Sequence, residues 1–246
     1  MKYKFALIFA LISCLGLCSE VDLRLIYPEK MILPDQVNLG EVAPGQELKL
    51  IFERSSGAYL WDTFDVHSDV NTSIQTNATH FTILAKGIGP GNHYIDLKVS
   101  NSLNLQIQKS SRIIFSGNYD VFKFTVSKQY TAQAGERSCF QMGVESKSIA
   151  EENFEVYFDG VPSRWQEFSI LKVPPKSKGN FSVCMTPTEE NFYNVKVIFR
   201  GNVEYKQQTG IRIYPSLVSK FKSCAEGFSI IPILQPFFSL FSLLKV

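Results

Sequence analysis

From Leu23 to Pro215 the chain alternates apolar and polar positions almost without a break, the period-2 signature of half-buried strands. Leu48, Leu50 and Phe52 alternate with Glu47, Lys49 and Glu53, and Tyr94, Ile95, Leu97 and Val99 follow Gly91. Phe122, Phe124 and Val126 alternate with Lys123 and Thr125. Phe154, Val156 and Phe158 run into Asp159-Gly160, a hairpin signal. Val195, Val197 and Phe199 precede Gly201-Asn202, and Ile211 and Ile213 come just before Pro215. A sustained 3.6 period is absent from this stretch, so short strands separated by turns predict antiparallel sandwiches rather than alternating strands and helices. The 20 phenylalanines are spread over alternating positions, where strand cores need bulk.

The punctuation recurs. Ala43-Pro44-Gly45-Gln46 precedes the strand from Glu47 to Leu50, and Ala132-Gln133-Ala134-Gly135 precedes the strand into Cys139-Phe140. Gly91-Asn92-His93-Tyr94-Ile95 and Asn191-Phe192-Tyr193-Asn194-Val195 then open an aromatic-bearing strand in each half. A repeat of about 90 residues predicts two domains, spanning 20–127 and 128–216. At these residues, and at the Pro-Gly-polar turn and strand of Val173-Pro174-Pro175-Lys176-Ser177-Lys178-Gly179-Asn180-Phe181-Ser182-Val183, the chain resembles the immunoglobulin-like domains of archaeal and bacterial envelope proteins, including the type beside secreted glycoside hydrolases. The resemblance implies an all-β fold of two immunoglobulin-like sandwiches in an extracellular setting.

Two apolar runs bracket this region. Lys2 and Lys4 followed by Phe5 to Leu17 and the small residues near Ser19 read as a secretory signal over residues 1–19. A lipoprotein signal ending at Cys14 is the second reading, although it is short. A polar spacer at 217–227 leads to a hydrophobic membrane anchor at 228–246, long enough as a helix to span about 28 Å. Gln235, Ser239 and Ser242 would form a polar stripe on it, suited to a partner helix or the headgroup layer. The segment could span, lie in the interface, or be cleaved for a glycolipid anchor.

Once Lys2 and Lys4 leave with the signal, 23 basic residues face 23 acidic ones, and this balance gives nucleic acid no electrostatic handle. Cys139 and Cys184 lie in strand contexts of the second half and predict an inter-sheet disulfide with Trp165 packed on it, while Cys224 has no evident partner. Asn71-Thr72-Ser73, Asn77-Ala78-Thr79 and Asn180-Phe181-Ser182 are glycosylation sequons, the first two in a polar stretch expected to be an exposed loop.

Candidate chemistry is sparse. Asp65, His67 and Asp69 would share one strand face and could hold a divalent cation, yet Phe64, Val66 and Val70 on the other face fit an ordinary solvated strand. The sequence shows neither a Gly-rich phosphate loop nor a Gly-x-Ser-x-Gly elbow, and neighbouring carboxylates such as Glu151-Glu152 and Glu189-Glu190 point apart. The reading is a non-enzymatic surface protein, exported, without a cofactor, held at the membrane and serving adhesion, envelope structure or assembly with a protein partner. The alternative is an accessory carbohydrate-binding module using Tyr59, Trp61 and Trp165 as exposed glycan contacts.

Overall fold

The computed structural model describes residues 22–56, 59–104 and 107–215. The expected signal, the spacer and apolar tail, Cys14, Cys224 and the Gln235, Ser239 and Ser242 stripe all lie outside the described residues. Among the described residues, no helix is long and apolar enough to cross a membrane. They form two compact units. Unit 1 takes residues 22–123 with Glu145–Asn153 and Lys172–Lys178, and unit 2 takes Phe124–Val144, Phe154–Leu171 and 179–215.

Unit 1 contains β1 (Arg24–Tyr27), β2 (Met31–Ile32), β3 (Gln36–Val42), β4 (Leu48–Glu53), the short pair β5 (Ser55–Ser56) and β6 (Tyr59–Leu60), β7 (Thr63–Ser68), β8 (Asn71–Thr76), β9 (His80–Lys86), β10 (Gly91–Ser100) and β11 (Gln108–Gly117). One sheet has the order β2-β1-β4-β9-β8, the other β3-β11-β10-β7. Alternation decides which side chains enter the core. Leu48, Leu50 and Phe52 of β4 and Phe81, Ile83 and Ala85 of β9 face Ile95, Leu97 and Val99 of β10 and Ile113 and Phe115 of β11. Phe81 sits between Phe52, stacked at 4.7 Å, and Phe64, tilted at 4.4 Å.

Unit 2 is built on β12 (Phe122–Thr125), β13 (Gln129–Gln133), β14 (Ser138–Ser146), β15 (Glu152–Asp159), β16 (Ser169–Val173), β17 (Lys178–Met185), β18 (Phe192–Arg200) and β19 (Glu204–Tyr214), with one end each of β12, β14, β15, β16 and β17 falling in unit 1. Its sheets are β12-β14-β17 and β13-β19-β18-β15-β16. An aromatic stack fills the space between them, with Phe124 against Phe199 at 3.8 Å and edge-on to Phe154 at 5.2 Å. Phe140 meets Phe158 edge-on at 5.6 Å.

Three details depart from the reading of the sequence. The sheets are not purely antiparallel, since β3 runs parallel to β11 and β13 parallel to β19. In each unit the chain crosses to the second sheet early and enters beside its last strand. Asp159-Gly160 does not close a tight hairpin: a 3-10 turn at Ser163–Trp165 intervenes before β16. Gln166 closes that longer connection, accepting from Phe158 N at Oε1 and donating to Phe158 O from Nε2, both at 2.7 Å. Asn71 does not lie in a loop but opens β8, paired with Lys86.

Gly117 shows how tightly one corner is built. A Cβ there would stand 1.8 Å from the Gly89 carbonyl oxygen, which also meets His93 Nε2 at 3.0 Å. Gly117→Ala is expected to displace the Gly89 backbone, break the His93 contact and cost unit 1 about 1–3 kcal/mol, as overpacking does. Urea unfolding of the variant beside the parent checks it. Equal midpoints would mean that the turn yields freely.

Candidate interaction face

On β18, Tyr193, Val195, Val197 and Phe199 point inward, leaving Phe192, Asn194, Lys196, Ile198 and Arg200 on the opposite side. The outer face of β13-β19-β18-β15-β16 is consequently rich in aromatic and arginine side chains. Phe192 is 45% exposed, with the Arg212 guanidinium 5.7 Å from its ring centroid. Its ring lies on Gly210, where a Cβ would come within 2.8 Å of Phe192 Cζ. The glycine thus serves as the seat of the ring. Arg200 stands 5.1 Å from the Tyr157 ring centroid and donates to the Tyr157 hydroxyl. Beyond it, Phe168 and Ile170 are 77% and 60% exposed at the edge strand β16. Glu155, Tyr157, Phe168 and Arg200 help to line a shallow cleft of about 370 Å³.

Charge on this face is fixed at neutral pH. The hydrogen bond from Lys206, at 2.7 Å, holds the Glu204 carboxyl below its ordinary value; partial desolvation opposes this, and the Lys206 and Arg200 charges add to it. Glu204 in turn raises Lys206. Arg200 lies 3.5 Å from the same carboxylate, so two cations share one anion. Such exposed pairs contribute little to stability.

Large exposed apolar and arginine side chains in one patch are the composition of protein contact surfaces, where aromatic and Arg residues supply most of the energy. This face was legible in part. Ile170-Leu171 and Val197-Ile198-Phe199 break the alternation, and adjacent apolar residues on a strand must put one of them on the outer side.

The other candidates fall in different places. Trp61 is 0% and Trp165 2% exposed, which corrects the expectation that they offer open glycan platforms. Each is a core side chain: Trp165 donates from Nε1 to Thr188 Oγ1 at 2.9 Å and meets Tyr193 edge-on at 5.5 Å. Cys139 and Cys184 do form a disulfide, yet it joins neighbouring strands β14 and β17 of one sheet and not the two sheets. It lies on the outward side, with the next outward pair, Gln141 and Ser182, hydrogen-bonded at 2.6 Å. The indole of Trp165 is buried, with Tyr193 as its edge-on partner.

Asp65, His67 and Asp69 do not converge. His67 lies 3.4 Å from Asp65, whereas Asp69 turns to His93 Nδ1 and Tyr94 N, both at 2.9 Å. Among the described residues no group of three or more His, Cys, Asp or Glu side chains could hold a metal ion. Asn71, Asn77 and Asn180 are all exposed.

The order β1-β4-β9-β8 against β7-β10-β11, and β12-β14-β17 against β15-β18-β19, makes each unit an immunoglobulin-like sandwich. The units differ in one strand: β8 joins the sheet of β9, whereas its counterpart β16 joins that of β15. Among solved structures, the chain is similar to the fibronectin(III)-like modules of CbhA from Clostridium thermocellum, at 10% identity over 78% of this chain and 94% of that one, with a TM-score of 0.30. It is similar to the tandem Ig repeats of Dlar at 8% identity, over 79% and 99% of the two chains, with a TM-score of 0.30. An endo-fucoidan hydrolase of glycoside hydrolase family 107 matches at 10% identity over 74% of this chain but 32% of its own, with a TM-score of 0.32. No protein-family model and no curated protein matches the chain. None of these likenesses carries a residue role across.

Proposed function

We propose that this is an exported, non-enzymatic protein of the cell surface, held at the membrane by residues 228–246, that binds a protein partner through the outer face of β13-β19-β18-β15-β16. The observation that carries the binding half is the outer face of this sheet, with exposed Phe168 and Ile170 beside the Arg200–Tyr157 pair near one end of β18 and exposed Phe192 under Arg212 at the other. What supports export is the leader-like N-terminus and the Cys139–Cys184 bridge, since such bonds persist in oxidising compartments.

The test places a photo-crosslinking residue at Ile170 of the full chain in its own membranes. A discrete adduct with another protein is expected, and Phe168→Asp with Phe192→Asp should reduce it at least tenfold, the scale of losing one anchor side chain of about 1.4 kcal/mol or more. An adduct only with a second copy of the chain would make the face a homotypic contact and overturn the separate partner. An adduct unchanged in the double variant would remove the patch from the interface. Deleting 228–246 is expected to move the protein to the soluble fraction with its near-ultraviolet dichroism intact, because both cores are built from residues 23–213. Retention on the membrane would sink the anchor.

A further inference from the structure

In each sandwich the sequons fall on one sheet, the one built around β4-β9 in unit 1 and around β14-β17 in unit 2. Asn71 opens β8, and Asn77 sits in the turn between β8 and β9; β8 is the free edge of β2-β1-β4-β9-β8. Asn180 lies on β17, at the end of the order β12-β14-β17, in the half of the strand away from Cys184–Thr186, where Glu167 N and the Trp165 carbonyl cover the edge. The sheets β3-β11-β10-β7 and β13-β19-β18-β15-β16 carry no sequon. Since β9 and β17 hold the same place in the two topologies, the acceptors mark matching sheets in two units whose sequences differ.

Each acceptor is open. Asn77 spends its Oδ1 on Thr79 N at 3.0 Å and His80 N at 2.7 Å, which fixes the side chain in the turn with the residue exposed. Asn180 faces Gly143 across the sheet, and its Oδ1 lies 3.4 Å from where a Cβ on Gly143 would stand. The missing side chain leaves room beside the amide. Asn71 pairs with Lys86, whose ammonium is drawn to Glu47 at 2.8 Å.

The two edges also need protection. An open edge strand presents unpaired backbone groups to any other strand, and proteins blunt it with charge, proline or a cover. The β8 sequence Asn-Thr-Ser-Ile-Gln-Thr has neither charge nor proline, and in β17 the one charged residue is Lys178 at its start.

We infer that Asn71, Asn77 and Asn180 carry N-linked glycans that shield the β8 and β17 edges, confining association to the sugar-free sheets. The inference rests on the export reading above and deepens it, because the sheet left bare in unit 2 is the one bearing Phe168 and Phe192. The chemistry is glycosyl transfer from a lipid-linked oligosaccharide. A bond forms between Asn Nδ2 and the sugar C1, the C1–O bond to the lipid diphosphate breaks, Nδ2 gives up one proton, and the lipid diphosphate leaves.

The full chain is purified from the cells that make it and its peptides are mapped by mass spectrometry before and after amidase release of N-glycans, which converts a modified asparagine to aspartate. Glycan on Asn71, Asn77 and Asn180 is expected, with Asn180→Gln and Thr79→Ala each losing one site; Thr79→Ala keeps the Asn77 turn bonds to Thr79 N and His80 N. An exported, bridged protein with unmodified asparagines at all three positions overturns this inference alone. A protein retained inside with free Cys139 and Cys184 thiols overturns the export reading instead. For the shielding, sedimentation of the Asn71→Gln, Asn77→Gln and Asn180→Gln triple variant is compared with the glycosylated parent in the same detergent. An increase of at least twofold in the associated fraction is expected. Equal association, with the parent's dichroism retained, would overturn the shielding.

Discussion

Trp165→Ala is expected to destabilise unit 2 by roughly 3–5 kcal/mol, the cost of truncating a large buried aromatic side chain. The indole is 2% exposed, meets Tyr193 edge-on, and its Nε1 donates to Thr188. Removing it leaves a cavity and breaks the bond to Thr188, whose exposed hydroxyl then turns to water. For a domain of this size each kcal/mol shifts Tm by about 4–8 °C, so the variant should melt far below the parent or fail to accumulate. Trp61→Ala should do the same to unit 1. Phenylalanine separates the two terms. Trp61 Nε1 has no hydrogen-bond partner among the described residues, so Trp61→Phe forfeits packing alone, whereas Trp165→Phe also forfeits the bond to Thr188, about 1 kcal/mol more. Differential scanning calorimetry of the four variants decides it. A Trp165→Ala protein within about 1 kcal/mol of the parent would show that this part of the core is not closed. The same result warns against reading lost binding in either alanine variant as loss of a glycan contact.

Loss of the Cys139–Cys184 bridge is expected to cost about 2–4 kcal/mol without changing the folded structure. The two half-cystines project from the outward side of β14 and β17, Cys139 exposed and Cys184 half-buried, so alanine at both positions opens no cavity in the core. What disappears is a constraint on the unfolded chain. With the cysteines 45 positions apart, loop-closure entropy alone corresponds to about 4 kcal/mol in the chain-entropy model, and residual order in the unfolded state lowers the yield. Equilibrium unfolding in urea should show a lower midpoint for Cys139→Ala with Cys184→Ala, matching the parent in reductant, with near-ultraviolet dichroism retained before the transition. A collapse of that dichroism in native buffer would mean that the bridge, and not the Phe124, Phe154 and Phe199 stack, holds the two-sheet packing.

The alternation of Leu48, Leu50 and Phe52, of Phe154, Val156 and Phe158, and of Val195, Val197 and Phe199 determined by itself that the described residues are strands with one buried side, because a strand sends successive side chains to opposite faces. The repeated turn-and-strand punctuation determined that two sandwiches follow one another. The pair Cys139 and Cys184 was legible as a disulfide from residue type and strand context. Its location was not, because spacing along the chain does not say whether two strands are neighbours in one sheet or opposed across a core.

Other matters were decided only when the strands assembled. Local patterning treats an isolated tryptophan beside polar residues as an open platform, yet Trp61 and Trp165 are enclosed by elements far away in sequence. Gln46, in a turn that reads as solvated, is buried, accepting from Ala43 N at 2.6 Å and from Ser148 Oγ at 2.7 Å across 102 positions. Ile149 and Ala150 likewise complete the core of unit 1 from the second half of the chain. Edge positions are collective in the same way. Nothing local in Asn71–Thr76 or Lys178–Met185 marks a strand as having one neighbour and not two, and Ile170 and Phe192 are exposed because no element covers them on the outer side of their sheet. The face of each strand is a property of its own residues, whereas its neighbours, and with them burial, bridge location and open surface, are set by hydrogen bonds between strands distant in the chain.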